Sequence, residues 1–564
     1  MKFSILPLIT FLVWLAPKSF VAQELTWAKS MGGSGFDRGE SIAIDAQNNV
    51  YTLGYFTQTV DFDPGSGTFE VTAQGEADIF LTKFDASGNF VWAKTIGSND
   101  SEYPDTLVLD TSGNLLITGY FETDLDFDPG AGTQILTSAG NLDAFVLKLN
   151  AEGNYLWAKS FGSSSPDRGR GIAVDNSGNV VTIGYFNNTV DFDPGAGTAN
   201  LTSFGDEDIF IVKLDANGNY LWAKQLGGTR EDFPNAVAVD AAGNVYSTGS
   251  YTNSAPDFDP GSGTFLLESA GTLDKMFVSK LDAEGNFVWA KQANGSHYNV
   301  GNDIAIGPNG EVLVTGYFYA TQDFDPGAAT FELTSEGLAD AYILKLETNG
   351  NFVWAKRMGG PVYEEGVSIK TDSNGGIYTT GRFEETVDFD PNGGTANLTS
   401  AGFIDVFVQH LNASGNFQWA SSVGGQDEDR GLGIAVDNEG KVLCTGYFNT
   451  TADFDPGSGV FNLTSQGEMD VFILKLENAP LGTPQYLVSG EPVIYPNPFQ
   501  DILNVESKSI ISTIAVYDLL GRIVLETSPV ALKTKLNLGN LESGMYLAII
   551  SSEGKKTVRK IVKE

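Results

Sequence analysis

Hydrophobic and polar positions alternate along most of the chain, in short runs broken by turn residues. Residues 172–222 show the pattern. Ile172-Ala173-Val174 is a short apolar run, and Asn176-Ser177-Gly178-Asn179 is a Gly/Asn turn. A second run spans Val180 to Phe186. From Asp208 to Leu214, Phe210, Val212 and Leu214 alternate with Ile209, Ile211 and Lys213, the two-residue period of a strand. Another tight turn, Asp215 to Asn219, leads into Tyr220-Leu221-Trp222-Ala223-Lys224. Four strands follow one another within about 65 residues, and the same grammar returns along the chain.

Two markers keep time. Asp-Phe-Asp-Pro begins at Asp61, Asp126, Asp191, Asp257, Asp323, Asp388 and Asp453. Trp27, Trp92, Trp157, Trp222, Trp289, Trp354 and Trp419 stand in Trp-Ala-Lys contexts, with Ser421 replacing the last Lys. Leu25 to Asn478 thus holds seven copies of a four-stranded unit, the pattern of an all-β, seven-bladed β-propeller. The first Trp strand has no strands of its own unit before it, and the last unit has no Trp strand. An N-terminal strand closing the last blade is therefore expected, leaving no open edge.

Composition narrows the surroundings. The net charge of -38 repels nucleic acid and anionic membranes. One cysteine, Cys444, excludes an internal disulfide framework, and its equivalents in other units are small or β-branched, as at an ordinary strand position. Two histidines, His297 and His410, leave no room for a multi-histidine metal site. His410 falls in a column of lysines (Lys83, Lys148, Lys213, Lys345) and is expected to be a solvated strand position. Residues 1–22, with Lys2 before an apolar run, read as a signal peptide, and no transmembrane anchor is expected in the mature chain. Residues 479–490 read as a linker. Residues 491–564 carry nine Lys/Arg against eight Asp/Glu, so the charge belongs to the repeats.

The repeat, with its Ile-Ala-Val-Asp, Gly-Asn-Val-Tyr and Thr-Gly-Tyr-Phe segments, resembles the SBBP type of bacterial β-propeller repeat. The last 74 residues resemble the type A C-terminal sorting domain of the type IX secretion system, a small β-sandwich. That match is carried by Tyr495-Pro496-Asn497-Pro498, by Tyr517-Asp518 and Gly521-Arg522, and by Gly544 with Tyr546. It implies a Bacteroidota-type bacterium, engagement of the type IX secretion machinery, passage through the periplasm, and release or attachment at the outer-membrane surface.

Two sets of residues are candidates for binding. Within each Asp-Phe-Asp-Pro element the two carboxylates lie two apart, a spacing open to a calcium site or to a turn made by Asp side chains. The pairs are Asp61 and Asp63, Asp126 and Asp128, Asp191 and Asp193, Asp257 and Asp259, Asp323 and Asp325, Asp388 and Asp390, and Asp453 and Asp455. Calcium is the one cofactor the sequence suggests. The second set lies on the connections between units: acidic Asp37, Asp105, Asp167, Glu365 and Asp429, with aromatic Phe36, Tyr103, Phe233, Tyr298 and Tyr363. Such groups suit a glycan or protein ligand. No catalytic residues can be assembled, because a catalytic pair should break the sevenfold pattern. The expected function is a binding or adhesion module, not an enzyme. The alternative is a polysaccharide-active enzyme with its site at the channel mouth, which a unique acid pair or basic cluster there would favour.

Overall fold

The computed structural model describes residues 23–252, 255–267, 273–478, 492–495, 497–518, 522–552 and 555–563, in two compact units divided after Asn478. The expected signal peptide and the linker lie outside these residues.

Among the described residues of the first unit, strand pairing builds seven four-stranded antiparallel sheets. They span residues 37–96, 102–161, 168–226, 232–292, 299–358, 365–425 and 430–478, the last completed by Gln23–Gly33. That strand pairs antiparallel with Asn462–Asn478, Leu25 opposite Leu476 and Met31 opposite Val471. The innermost strands lie side by side in sequence order. The N–H of Leu107 donates to Ser41 Oγ, Thr106 Oγ1 to the Arg170 carbonyl, Asn235 Nδ2 to the Gly301 carbonyl, and the N–H of Ile369 to Asp303 Oδ2. The seventh inner strand, Arg430–Val436, packs on the first, Asp37–Ile44, so the ring closes.

Neighbouring sheets are locked together by the repeat's own markers. Six of the seven Trp residues, all but Trp419, lie on the turn that joins the third and fourth strands of the next sheet. There Trp157 Nε1 donates to the Ala216 carbonyl, Trp222 to Ala283 and Trp289 to Thr348, all at 3.1–3.2 Å. The turn needs glycine for two reasons: Gly218 has φ of +79°, and a Cβ there would sit 3.0 Å from the Trp157 ring. The lysine column does the same work. Lys148, Lys213 and Lys345 donate to the carbonyls of Ala216, Ala283 and Ala413 in the next sheet, while pairing with Asp110, Asp175 and Glu311 of their own. These lysines are buried, so the expected solvated column is corrected: their ammonium groups sit between two turns rather than in water. His410 breaks the column at a telling place. The next sheet's third and fourth strands, Asn462–Asn478 and Gln23–Gly33, are the last and first described strands of the first unit, so no turn joins them to offer a carbonyl. His410 instead stacks on Tyr378 at 4.1 Å, and burial pushes its pKa down to about 4. Cys444 is an ordinary buried strand residue, its thiol pushed up to about 12 by burial.

In the second unit the long strand Ile502–Tyr517 is shared. Its first half pairs with Val493–Tyr495 and Ala531–Asn537, its second half with Ile523–Thr527 and Gly544–Ser552. Leu503, Val505, Ile514, Val516, Leu536, Ala548, Ile550 and Ile561 form the core. The motif residues are structural: Asn497 brackets the last strand through the Lys560 carbonyl and the Val562 N–H, Asp518 pairs with Arg522, and the Tyr546 hydroxyl donates to the Glu542 carbonyl. Pro496 and Gly521 lie outside the described residues.

Deleting residues 23–33 exposes a ladder edge from Val471 to Leu476 and opens the ring. The expected result is loss of the cooperative unfolding transition and aggregation; calorimetry on the truncated and full chains checks it.

Candidate functional site

The Asp-Phe-Asp-Pro element sits on a short hairpin between the second and third strands of each sheet. In the third sheet Thr189–Asp191 pairs with Asn200–Thr202. The Phe is buried, Phe192 against Phe186 and Phe210. Asp191 Oδ1 accepts the N–H groups of Asp193 (3.1 Å) and Ala199 (2.7 Å), and Asp193 Oδ1 accepts that of Gly195. The same bonds form around Asp61, Asp126, Asp257, Asp323, Asp388 and Asp453. The hairpin also reaches across: Gly32 pairs with Asp61, Gly227 with Asp257, Gly359 with Asp388 and Gly424 with Asp453. The element is a clasp between neighbouring sheets. Its carboxylates shape the turn, and among the described residues no group of three His, Cys, Asp or Glu gathers to hold a metal.

The connections between units separate the second set of candidates. Asp37, Asp167 and Asp429 are buried to within 1% and serve the backbone. Asp37 accepts the N–H groups of Gly33 and Thr57, Asp167 those of Ser163 and Asn187, and Asp429 those of Gly425 and Asn449. As ligand carboxylates they are corrected: they face inward and hold the entry to each inner strand. Their true equivalents in other units are Glu102, Asp232 and Glu364, also buried. Asp105 and Glu365 belong to other columns, three residues and one residue after Glu102 and Glu364. The aromatics cover the seams. Tyr103 packs on Tyr55 and Tyr120, Phe233 on Tyr185, and Tyr363 on Tyr317, while Phe36 and Tyr298 remain exposed.

What the inner strands do surround is a cavity of about 600 Å³ lined from all seven sheets. The position three residues after Asp37 and its equivalents (Glu102, Asp167, Asp232, Asn299, Glu364 and Asp429) differs from unit to unit: Glu40, Asp105, Arg170, Asn235, Asn302, Val367 and Leu432. Arg38 Nε pairs with Glu40 at 2.8 Å, and Arg170 with Asp105 at 3.3 Å. Across the ring Lys370 pairs with Asp303 at 2.9 Å, and Asn302 Nδ2 donates to Glu365 Oε1. Burial pushes Glu40 up to about 7, against the pull of Arg38 and with a smaller push from Asp105. Arginines stack on tyrosines around the same end: Arg38 over Tyr447, Arg168 over Tyr120 and Arg382 over Tyr363, at 4.3–5.2 Å. Sequence reading named Asp105 and Glu365 from this cluster but missed Glu40, Arg170, Asn302 and Lys370. For Glu40, Arg170 and Asn302 the signal was a column that changes charge from unit to unit; Lys370 lies outside that column.

Comparison with known proteins agrees with both units. Residues 493–564 match the secretion system C-terminal sorting domain, and residues 221–256 match the beta-propeller repeat named SBBP. The chain is thus an all-β protein with a propeller repeat, delivered by the type IX route to the surface or medium of a Bacteroidota-type bacterium. An uncharacterized WD repeat-containing protein of Acanthamoeba polyphaga mimivirus is 24% identical over 503 residues, 75% of this chain and 36% of that protein. The regulatory protein FlaEY of Caulobacter vibrioides is 24% identical over 327 residues, 54% of this chain and 33% of its own. The chain spans about a third of the length of these relatives. Among solved structures, a gluconolactonase of Xanthomonas campestris aligns at TM-score 0.28 and 14% identity, over 65% of this chain and 92% of that one. PorZ, a surface component of the type-IX secretion system of Porphyromonas gingivalis, aligns at 0.15 and 11%, over 95% and 100%. Likenesses this slight carry no argument about what this chain does. No helix among the described residues is long and apolar enough to cross a membrane.

The division between pinned and lining carboxylates has a measurable consequence. Asp167→Ala strands two amide donors and is expected to cost about 3 kcal/mol, whereas Asp105→Ala, at a wetter site, costs about 1 kcal/mol. Denaturant unfolding of the two variants compares them, and equal losses would remove the distinction.

Proposed function

We propose that the repeat region is a seven-bladed propeller acting as an extracellular binding module, with its ligand at the central cavity, and that the C-terminal unit is a small β-sandwich serving delivery. The observation that carries this reading is the charge of the cavity. In a chain of net charge -38, its walls offer Arg38, Arg170, Lys370 and Arg430 against Glu40, Asp105, Asp303 and Glu365. A balanced lining with amides from Asn235 and Asn302 suits a neutral polyhydroxyl ligand, which hydrogen-bonds both signs and brings no charge to bury. A glycan array probed with the full chain tests it. Arg170→Ala is expected to weaken a positive signal about tenfold or more by leaving Asp105 without its partner. An array with no signal, or a ligand indifferent to Arg170→Ala, would remove the cavity from consideration.

The enzymatic reading has one observation in its favour. Glu40 and Asp105, on neighbouring inner strands, bring two acids together in a column where no other unit has one, and burial raises Glu40 to about 7. Both are already bound to arginines, which favours recognition over proton transfer. Reducing-end release from any bound glycan, abolished by Glu40→Gln, would reverse that preference.

For the hairpin tips, we infer a role as turns rather than calcium sites. Calcium takes six to eight oxygens, and here each leading Asp has one oxygen occupied by two amides. Calorimetric unfolding with calcium and with chelator is expected to give one midpoint; a rise with calcium would restore the ion to these loops.

A further inference from the structure

A second ring of buried acids faces the first. In six of the seven sheets the third strand carries an acid where it begins its pairing with the second strand's core segment: Asp78, Asp143, Asp208, Asp340, Asp405 or Asp470, all at most 2% exposed. Each lies against the acid that opens the next sheet's inner strand. The pairs are Asp78 with Glu102, Asp143 with Asp167, Asp208 with Asp232, Asp340 with Glu364, Asp405 with Asp429, and Asp470 with Asp37; in every case the first acid's charge raises the pKa of the second. The approach is close. Asp208 Oδ1 and Asp232 Oδ2 lie 2.7 and 2.9 Å from the point a Cβ on Gly227 would occupy.

The seventh junction shows that the two acids act jointly. There the third strand opens on Lys275, in the same register (Tyr251 opposite), and the facing residue is Asn299. The glycine that receives the Asp elsewhere (Gly32, Gly97, Gly162, Gly227, Gly359, Gly424) is here Asn294, which pairs with Asp323 as Gly32 pairs with Asp61. The Lys275 ammonium donates instead to the carbonyls of Gly295 and His297. All three changes come together, and neither acid is kept alone.

In four of the six acid pairs an oxygen lacks any donor: Asp208 Oδ1 with Asp232 Oδ1, Glu364 Oε1, Asp405 Oδ1, and Asp470 Oδ1. In the other two a serine hydroxyl serves, Ser98 on Glu102 and Ser138 on Asp143. We infer that these four pairs each share one proton, the O–H of one carboxyl donating to its neighbour, and that the blade junctions are thereby sensitive to pH. A proton needs no ligands beyond the two carboxyls, which suits sites this dry; a metal ion would need more oxygens than the pair supplies. The other charged and titratable groups in reach are few. Tyr251 faces Asp232, Arg357 lies 3.3 Å from Asp340, Glu336 and Glu384 approach Glu364, and Asp427 approaches Asp429.

The direction follows from burial, the largest influence on each pair: it raises Asp232 and Glu364 to about 8, Asp37 and Asp429 to about 7, and their partners to about 6. In the unfolded chain these acids lose their protons near pH 4. The stability the protons confer is complete below about pH 4 and is lost as pH rises through about 6 to 8. Thermal unfolding of the full chain, with chelator, is expected to show a midpoint falling by several degrees between about pH 5 and 8.5. Asp208→Asn supplies a permanent donor to Asp232. It should leave the midpoint at pH about 5 unchanged and raise it at about 8.5; Asp232→Asn is the second variant with the same expectation. A midpoint indifferent to pH, an equal loss at both pH values in both variants, or recovery at high pH on adding calcium would each overturn the proposal, the last by making the pairs metal sites.

Discussion

Everything in the repeat region depends on the reach of one unit into the next. A single four-stranded sheet with buried residues on both faces cannot be stable alone, so its apolar area must be covered by neighbours. The chain meets this requirement with polar as well as apolar contacts. Trp222 and Lys213 both end on the carbonyl of Ala283, one unit ahead, and Gly285 leaves the space their side chains need. A buried ammonium is costly in itself, and it is tolerated here because Asp175 and a turn carbonyl are fixed in place to receive it. The junction therefore specifies the angle between sheets as well as holding them. A ring with a set number of members follows from repeating that angle.

The seam tests this account. At the junction between the sixth and seventh sheets the receiving turn does not exist, because the third and fourth strands there come from opposite ends of the described repeat region. A lysine in that column would have no carbonyl to meet. The chain carries His410, which burial keeps neutral and which stacks on Tyr378. The column is thus explained by its exception as much as by its rule.

The fold was legible in the sequence because it is written seven times. The two-residue alternation and the Trp spacing pointed to the sheets, and the complementary missing strands favoured closure over an open solenoid. Burial of polar residues was not legible, since a lysine alternating with apolar residues reads the same whether it faces water or a turn carbonyl. The binding candidates suffered from a related difficulty. Asp37, Asp167 and Asp429 stood out as acids on variable loops, yet acids that recur are those the backbone uses. Asp105 and Glu365 looked like members of that set, and only the strand register shows that Glu102 and Glu364 take those places.

Sevenfold repetition also decides where specific chemistry can lie. A residue that pins a turn must recur, because each junction requires it. Recognition of a ligand on the axis does not, since each unit meets a different part of the ligand. The column that opens with Glu40 and passes through Asp105, Arg170, Asn235 and Asn302 to Val367 and Leu432 obeys no junction's demand. With the exception of Asp303, its neighbours in the same strands stay small to pack the ring. Freedom from the structural requirement, together with convergence of all seven strands on one cavity, makes that column the place where this protein's individuality resides. The acid-rich remainder of the repeat surface keeps other anionic surfaces at a distance.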